Sequence, residues 1–201
     1  MTQGECLDRV WTVPNILSAA RLALAIVMFA LVGRERHVAA LAVFLVAAST
    51  DWVDGWWARR FGQVSRLGRI FDPLVDKVIV CGGFILLAAG DGRSAILPWM
   101  AVVVVVRELV VTAVRAEMER AGHDFSAAFT GKLKMVLQCG AIAAELAGRA
   151  APGLTIAGTG IHTIASAIAW AAVIATIWSG LEYLVAARGL LGGGDDSRPR
   201  R

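Results

Sequence analysis

The stretch that decides both fold and chemistry runs from Asp51 to Asp76 and reads DWVDGWWARRFGQVSRLGRIFDPLVD. It contains two carboxylate pairs: Asp51 and Asp54 are three positions apart, and Asp72 and Asp76 are four apart. Either spacing puts both members of a pair on one face of a helix. We therefore predict two helices that each present a carboxylate pair at the edge of an apolar domain.

The residues around these aspartates favour a particular kind of site. Carboxylates beside membrane-length apolar runs are costly, and they are typical of sites that hold hard cations such as Mg²⁺ through oxygen ligands. Gly55, Ala58 and Gly68 allow close approach to the backbone, and Arg59 is a fixed cation suited to phosphate. The alternative is a set of helix caps around a loop. Taken together, the residues favour a site for phosphate and metal.

The remainder of the chain has the composition of an integral membrane protein. Its 201 residues are 57% hydrophobic, and its mean hydropathy is +0.65, which is too apolar for an ordinary soluble domain. The formal net charge of +4 is modest, and the cations cluster beside apolar runs. This pattern fits anionic lipid headgroups or a phosphorylated substrate better than nucleic acid. We predict association with a lipid bilayer and no nucleic-acid partner.

The apolar runs predict an all-α, polytopic integral membrane protein with six transmembrane helices. The predicted helices span about 13–33, 38–60, 70–89, 96–120, 131–147 and 161–187. Pro73 falls in the first turn of the third helix, where proline is tolerated. The segment up to Trp11 predicts a short N-terminal interfacial helix. We expect a single membrane domain over residues 1–190 and a disordered tail over 191–201.

Lys and Arg are divided unequally between the two sides that six helices define. Thirteen lie on the side of the termini: Arg9, Arg59, Arg60, Arg66, Arg69, Arg115, Arg120, Lys132, Lys134, Arg188, Arg198, Arg200 and Arg201. Four lie on the other side: Arg34, Arg36, Arg93 and Arg149. Cytoplasmic segments carry the excess of cations. We therefore predict that both termini and the aspartates lie on the cytoplasmic side of the cell (inner) membrane.

Polar residues also open the first apolar run, where Asn15, Ser18 and Arg21 stand at positions i, i+3 and i+6. This spacing is compatible with a face turned towards a ligand. It is equally compatible with polar groups that reach the membrane interface. Both interpretations are open from these residues alone.

The motif D-x-x-D-G-x-x-A-R, followed after eight residues by G-x-x-x-D-x-x-x-D, resembles the signature of the CDP-alcohol phosphotransferases. Every signature position is filled here, by Asp51, Asp54, Gly55, Ala58, Arg59, Gly68, Asp72 and Asp76. The pattern N-x-x-S-x-x-R from Asn15 is similar to the first helix of that family. The resemblance implies a homodimeric enzyme that transfers a substituted phosphate from a CDP-linked donor to an alcohol and releases CMP.

The same resemblance implies roles for individual residues. It implies that Mg²⁺ or Mn²⁺, as two ions, is held by Asp51, Asp54, Asp72 and Asp76, and that Asp76 is also the catalytic base. It implies CDP and pyrophosphate contacts from Asn15, Gly55, Ala58, Arg59 and Gly68.

The second half of the chain resembles the bacterial branch of that family that joins CDP-diacylglycerol to glycerol 3-phosphate. The likeness rests on Arg107-Glu108-Leu109, Arg115, Gly131-Lys132-Leu133-Lys134 and Gln138. Four of these residues offer cations to an acceptor phosphate, namely Arg107, Arg115, Lys132 and Lys134. For the two lysines, a role as cytoplasmic anchors is equally open. The alternatives are a sister enzyme that uses inositol phosphate or serine and, more distantly, a cation transporter with the aspartates as its ion path.

Overall fold

The computed structural model describes residues 13–61, 66–90, 94–120 and 129–192, with the backbone alone at 13–14, 51–61, 66–73, 119, 129 and 189–192. These residues form six α-helices and one β-hairpin. The elements are α1 (Val13–Gly33), α2 (His37–Phe61), α3 (Arg66–Ala88), α4 (Pro98–Arg120), α5 (Phe129–Ala150), β1 (Thr155–Ile156), β2 (Thr159–Gly160) and α6 (Ile161–Gly192). The predicted interfacial helix and the predicted tail beyond Gly192 lie outside the described residues.

The helices fall where the apolar runs predict them, with one difference that affects the site. α3 begins at Arg66, four residues before the predicted start, so Pro73 stands about two turns inside the helix instead of in its first turn. Ser65, a residue type favoured as an N-cap, directly precedes the helix in the sequence. Pro73 has no N–H to donate, which leaves the carbonyl of Arg69 without its usual helical hydrogen bond.

Two of the described helices are long and apolar enough to cross a membrane, judged by length and composition. They are Asn15–Gly33, with a mean hydropathy of 2.3, and Ile161–Arg188, with a mean hydropathy of 1.8. Large apolar side chains also cover the outside of the bundle: Val185 is 72% exposed and Val136 is 69% exposed. An apolar exterior of this kind suits lipid better than water.

Helix α3 lies against α1, α4 and α5, while α5 and α6 form the most extensive helix pair. Two adjacent glycines allow the close approach around α3. A Cβ atom on Gly82 would lie 2.3 Å from the ring of Phe29 in α1, and one on Gly83 would lie 2.9 Å from Ile142 in α5. Phe84, fully buried beside them, belongs to the core that these helices share. Small residues thus bring the helices of the site into direct contact.

The connections between the described helices contain three residues with positive φ. After α1, Glu35 has φ = 57°, Arg36 N donates to Leu31 O at 2.9 Å, and Glu35 N donates to Val32 O at 3.0 Å. This is the hydrogen-bond pattern of a Schellman motif. Between β1 and β2, Ala157 (φ = 52°) and Gly158 (φ = 80°) form the two-residue turn. Positive φ at both positions is the type I′ geometry that matches the twist of paired strands.

Candidate active site

Asp76 is the one signature residue whose side chain is described, and it forms an ion pair that joins α1 to α3. Arg21 Nη1 donates to Asp76 Oδ1 at 2.8 Å; the arginine side chain is 2% exposed and the aspartate side chain 28%. Ser18, one turn before Arg21, is also buried. The polar face of α1 therefore points into the bundle. The buried guanidinium fixes the Asp76 carboxylate while leaving it reachable from outside.

The backbone places the other aspartates on two uninterrupted helices. Asp51 and Asp54 lie in α2, and Asp72 lies one turn before Asp76 in α3, so the helical spacing of both pairs holds. Helix α1 packs against both of these helices, and Asn15 is half-buried in its first turn. The predicted site residues whose side chains lie outside the described part of the structure are Asp51, Asp54, Gly55, Ala58, Arg59, Gly68 and Asp72.

Asp76 is the one predicted metal ligand whose side chain is described. Among the described residues, no three His, Cys, Asp or Glu side chains come together as a metal site, and the other three predicted ligands lie within 51–73. The Asp76 carboxylate is partly exposed and supplies the hard oxygen donor that Mg²⁺ prefers. Its chemistry and position fit a divalent cation.

A second charged cluster joins α4 to α5. Glu108 Oε1 accepts from Arg107 Nη1 at 3.2 Å, and the same oxygen is ion-paired with Lys134 Nζ. All three side chains are about one-tenth exposed. Buried charges are tolerated only when they are paired in this way. The predicted acceptor residues Arg107 and Lys134 thus share one internal carboxylate.

Helix α6 completes this cluster with residues that the sequence alone did not identify. Arg107 Nη2 donates to Ser179 Oγ, and Arg115 Nη2 donates to Tyr183 Oη, each at 2.8 Å. Thr176, Ser179 and Tyr183 stand at positions i, i+3 and i+7 of a largely apolar helix. This spacing places them on one helical face. Polar residues at that spacing are the signal that could have identified the face.

The cluster lies deeper along α3 than Asp76. Cys81 of α3 is within electrostatic reach of both Glu108 and Lys134. It lies five residues beyond Asp76 in the helix, a rise of about 7.5 Å. Lys132, by contrast, is exposed on α5, with no ion pair to any described side chain. The structure therefore gathers three of the four predicted acceptor cations and leaves Lys132 apart.

Residues 11–178 match the sequence model of the family described as CDP-alcohol phosphatidyltransferase. The chain belongs to this family. A relative in Bacillus subtilis (strain 168) is 33% identical over 189 residues, which cover 87% of this chain and 94% of the relative. One in Escherichia coli (strain K12) is 33% identical over 183 residues, covering 89% and 96%. Both are named CDP-diacylglycerol–glycerol-3-phosphate 3-phosphatidyltransferase.

This phosphatidyltransferase-family chain has a further polar cluster where α3 and α5 end, at the end of the bundle away from Asp76. Glu145, 3% exposed, accepts from Ser94 Oγ at 2.9 Å, from Ala95 N at 3.0 Å and from Arg149 Nε at 2.8 Å. Arg149 Nη2 also donates to Leu87 O at 2.6 Å. These hydrogen bonds attach the connection between α3 and α4 to α5, and they hold the helices together at this end of the bundle.

Proposed function

We propose that this chain transfers the phosphatidyl group of CDP-diacylglycerol to glycerol 3-phosphate, giving phosphatidylglycerophosphate and CMP for phospholipid biosynthesis. Its relatives carry this activity in their names and match over most of both lengths. The structural observation that supports it most directly is the partly buried cation cluster. Arg107, Arg115 and Lys134 bring three positive charges and Glu108 one negative charge. The balance of +2 suits a phosphate, which approaches two negative charges at neutral pH.

The reaction needs one bond made and one broken at a single phosphorus. The hydroxyl oxygen of the acceptor bonds to the phosphorus that carries the diacylglycerol, the bond from that phosphorus to CMP breaks, and the hydroxyl proton leaves. Asp76 is the base we assign to that proton, because its carboxylate is reachable and Arg21 holds it in place.

The donor end of the site consists of the signature residues. We assign Asn15, Gly55, Ala58, Arg59 and Gly68 to the CDP and pyrophosphate. We assign Asp51, Asp54, Asp72 and Asp76 to Mg²⁺ or Mn²⁺, as two ions. When bound, the metal neutralises the pyrophosphate and stabilises CMP as it departs. The carboxylate oxygen of Asp76 fits this assignment.

The setting we propose is a cell (inner) membrane spanned by all six helices. The aspartates and both termini are then cytoplasmic, on the side where the excess of Lys and Arg lies. The functional unit is a homodimer, as the family resemblance implies. The two long apolar helices and the apolar exterior support the membrane location.

CMP release by purified protein tests the function directly. Protein supplied with CDP-diacylglycerol is given glycerol 3-phosphate, glycerol, serine or inositol phosphate in separate reactions. We expect fast CMP release with glycerol 3-phosphate and slow release with glycerol or serine, which carry no phosphate to balance the net +2 charge of the cluster. Efficient use of inositol phosphate or serine, with glycerol 3-phosphate ignored, would instead identify a sister enzyme. Cation flux into proteoliposomes without CMP release would identify a transporter.

A further inference from the structure

The face of α6 formed by Ser179, Gly180 and Tyr183 lies directly against the two arginines of α4. Ser179 and Tyr183 each accept a hydrogen bond from one guanidinium. Gly180 makes room for Arg107, since a Cβ atom there would lie 3.1 Å from its Cγ. Ser179, Gly180 and Tyr183 all lie beyond residue 178, where the family match ends. The family match therefore says nothing about what this face does.

Tyr183 makes the two arginines converge. Eight residues separate Arg107 from Arg115, so their backbones are about 12 Å apart along α4. Yet the guanidinium carbon of Arg107 lies 5.8 Å from the centre of the Tyr183 ring, and that of Arg115 lies 5.7 Å from it. The negative face of an aromatic ring attracts cations at this range. One ring thereby offsets part of the repulsion between two like charges that point to one place.

Tyr183 does this without adding a negative charge. Arg107 and Lys134 already share the Glu108 carboxylate, whereas Arg115 is ion-paired with no carboxylate among the described residues. The Nε atoms of both Arg107 and Arg115 are buried and have no hydrogen-bond partner in the described part of the chain. A carboxylate in place of Tyr183 would cancel charge that an anion needs. The aromatic ring and hydroxyl of Tyr183 hold the guanidinium groups and leave their positive charge available to an anion.

We propose that Tyr183 is a positioning residue of the acceptor site, which sets the guanidinium groups of Arg107 and Arg115 to receive the phosphate of the acceptor alcohol. This inference rests on the proposed function, because it takes a phosphorylated alcohol as the acceptor. By this inference, α6 contributes to the choice of acceptor. Discrimination against unphosphorylated alcohols then depends on a residue that need not touch the substrate.

The test compares two variants that remove different parts of Tyr183. Tyr183→Phe keeps the ring and loses the hydroxyl, and we expect the apparent KM for glycerol 3-phosphate to rise about fivefold, the loss of one hydrogen bond. Tyr183→Leu loses the ring as well, and we expect a rise of about thirtyfold. In both variants kcat and the KM for CDP-diacylglycerol stay close to the original values. Trp178→Leu, on the lipid-facing side of α6 with Trp178 67% exposed, is the matched control and should change neither KM.

A double-mutant cycle separates positioning from mere support of the fold. If Tyr183 acts through Arg115, Tyr183→Phe adds little to the acceptor KM once Arg115→Gln is present. Additive effects would overturn the proposal. So would equal increases in both KM values, or a fall in kcat that tracks thermal stability.

The proposed function and this inference fail in different ways. If the unaltered protein prefers another phosphorylated alcohol, glycerol 3-phosphate is the wrong acceptor, and the KM comparison is made with that alcohol. A graded rise in its KM then still supports the role of Tyr183. If the unaltered protein uses unphosphorylated alcohols alone, or if Tyr183 variants bind the preferred phosphorylated alcohol normally, the inference is overturned.

Discussion

Arg21 is the described residue on which the geometry of Asp76 most directly depends, since its buried guanidinium donates to that carboxylate. We predict that Arg21→Gln lowers CMP release at least tenfold and the free energy of unfolding by about 2 kcal/mol, the loss of a charge-assisted hydrogen bond. Thermal unfolding in detergent and a CMP assay measure the two effects. Arg34→Gln, at an exposed position just after α1, is the control. The double variant Arg21→Gln with Asp76→Asn should regain part of the stability and none of the activity. Recovery of activity in it would contradict the role of Asp76.

The predicted metal site gives a second prediction at single residues. Asp51→Asn, Asp72→Asn and Asp76→Asn should each reduce turnover by orders of magnitude, because each keeps the shape but removes a charged ligand or base. A chelator should abolish CMP release by the unaltered protein, and added Mg²⁺ or Mn²⁺ should restore it. Circular dichroism confirms that each variant is folded. Near-normal release by all three folded variants in chelator is the result that would refute the metal site.

Arg115 and Lys132 were predicted for the same role, but the structure separates them. Arg115 lies against Tyr183, whereas Lys132 is exposed. We predict that Arg115→Gln raises the apparent KM for glycerol 3-phosphate about ten- to a hundredfold, with little change in the KM for CDP-diacylglycerol. Lys132→Gln, its matched control, should change either KM less than threefold. Equal effects of the two substitutions would show that Lys132 serves the acceptor as much as Arg115 does.

What could be predicted at this scale depended on spacing within single helices. The carboxylate pairs and the polar face from Asn15 to Arg21 are local patterns, and the helices containing them form as expected. The partners of the arginines are 72 and 68 residues away in the sequence. No helical period connects positions so distant, because tertiary packing alone brings them together. Glu145 and its contacts near residue 95 escaped prediction for the same reason.

Among the secondary-structure elements, the end of α1 stores a small strain. Glu35 adopts the left-handed conformation that glycine takes without steric cost. We predict that Glu35→Gly raises the free energy of unfolding by up to about 1 kcal/mol, or about 2 to 4 °C in Tm. Arg34→Gly, one position earlier, offers no such relief and should lower Tm, because glycine adds entropy to the unfolded chain. Thermal scans of both variants give the comparison. A lower Tm for Glu35→Gly would show that the charge matters more than the backbone.

Element boundaries were the part of the fold that local patterns predicted least well. α3 begins before its predicted start at about residue 70, since Arg66 to Arg69 are helical in spite of their charges. The hairpin from Thr155 to Gly160 had no hydrophobic alternation to reveal it, because both strands are two residues long and exposed. Its turn has Ala157 where Asn or Gly is usual. Tertiary packing and solvation, and not local sequence patterns, determine where short exposed strands form and where charged helices end.

At the scale of the whole molecule, the predicted orientation has a direct test. In a background lacking Cys6, Cys81 and Cys139, Arg66→Cys and Ala157→Cys place single thiols at the two ends of the bundle. We expect a membrane-impermeant reagent added outside intact cells to label position 157 but not position 66, because the excess of Lys and Arg lies with the latter. Permeabilised cells should show labelling of both. The opposite labelling pattern in intact cells would show that the topology is the reverse of the predicted one.

The cluster of Glu145 and Arg149 has a consequence for biogenesis. The two side chains lie one turn apart on α5 and form an ion pair. In the proposed orientation this end of the helix is translocated, and it then carries a neutral pair instead of a lone cation. A charge that crosses the hydrocarbon core unpaired is expensive. A tight turn at Ala157 joins α5 to α6, and the two helices are in extensive contact. We therefore expect them to enter the bilayer together as a helical hairpin. Glu145 thus eases the passage of the segment that Arg149 later anchors through its hydrogen bond to Leu87 O.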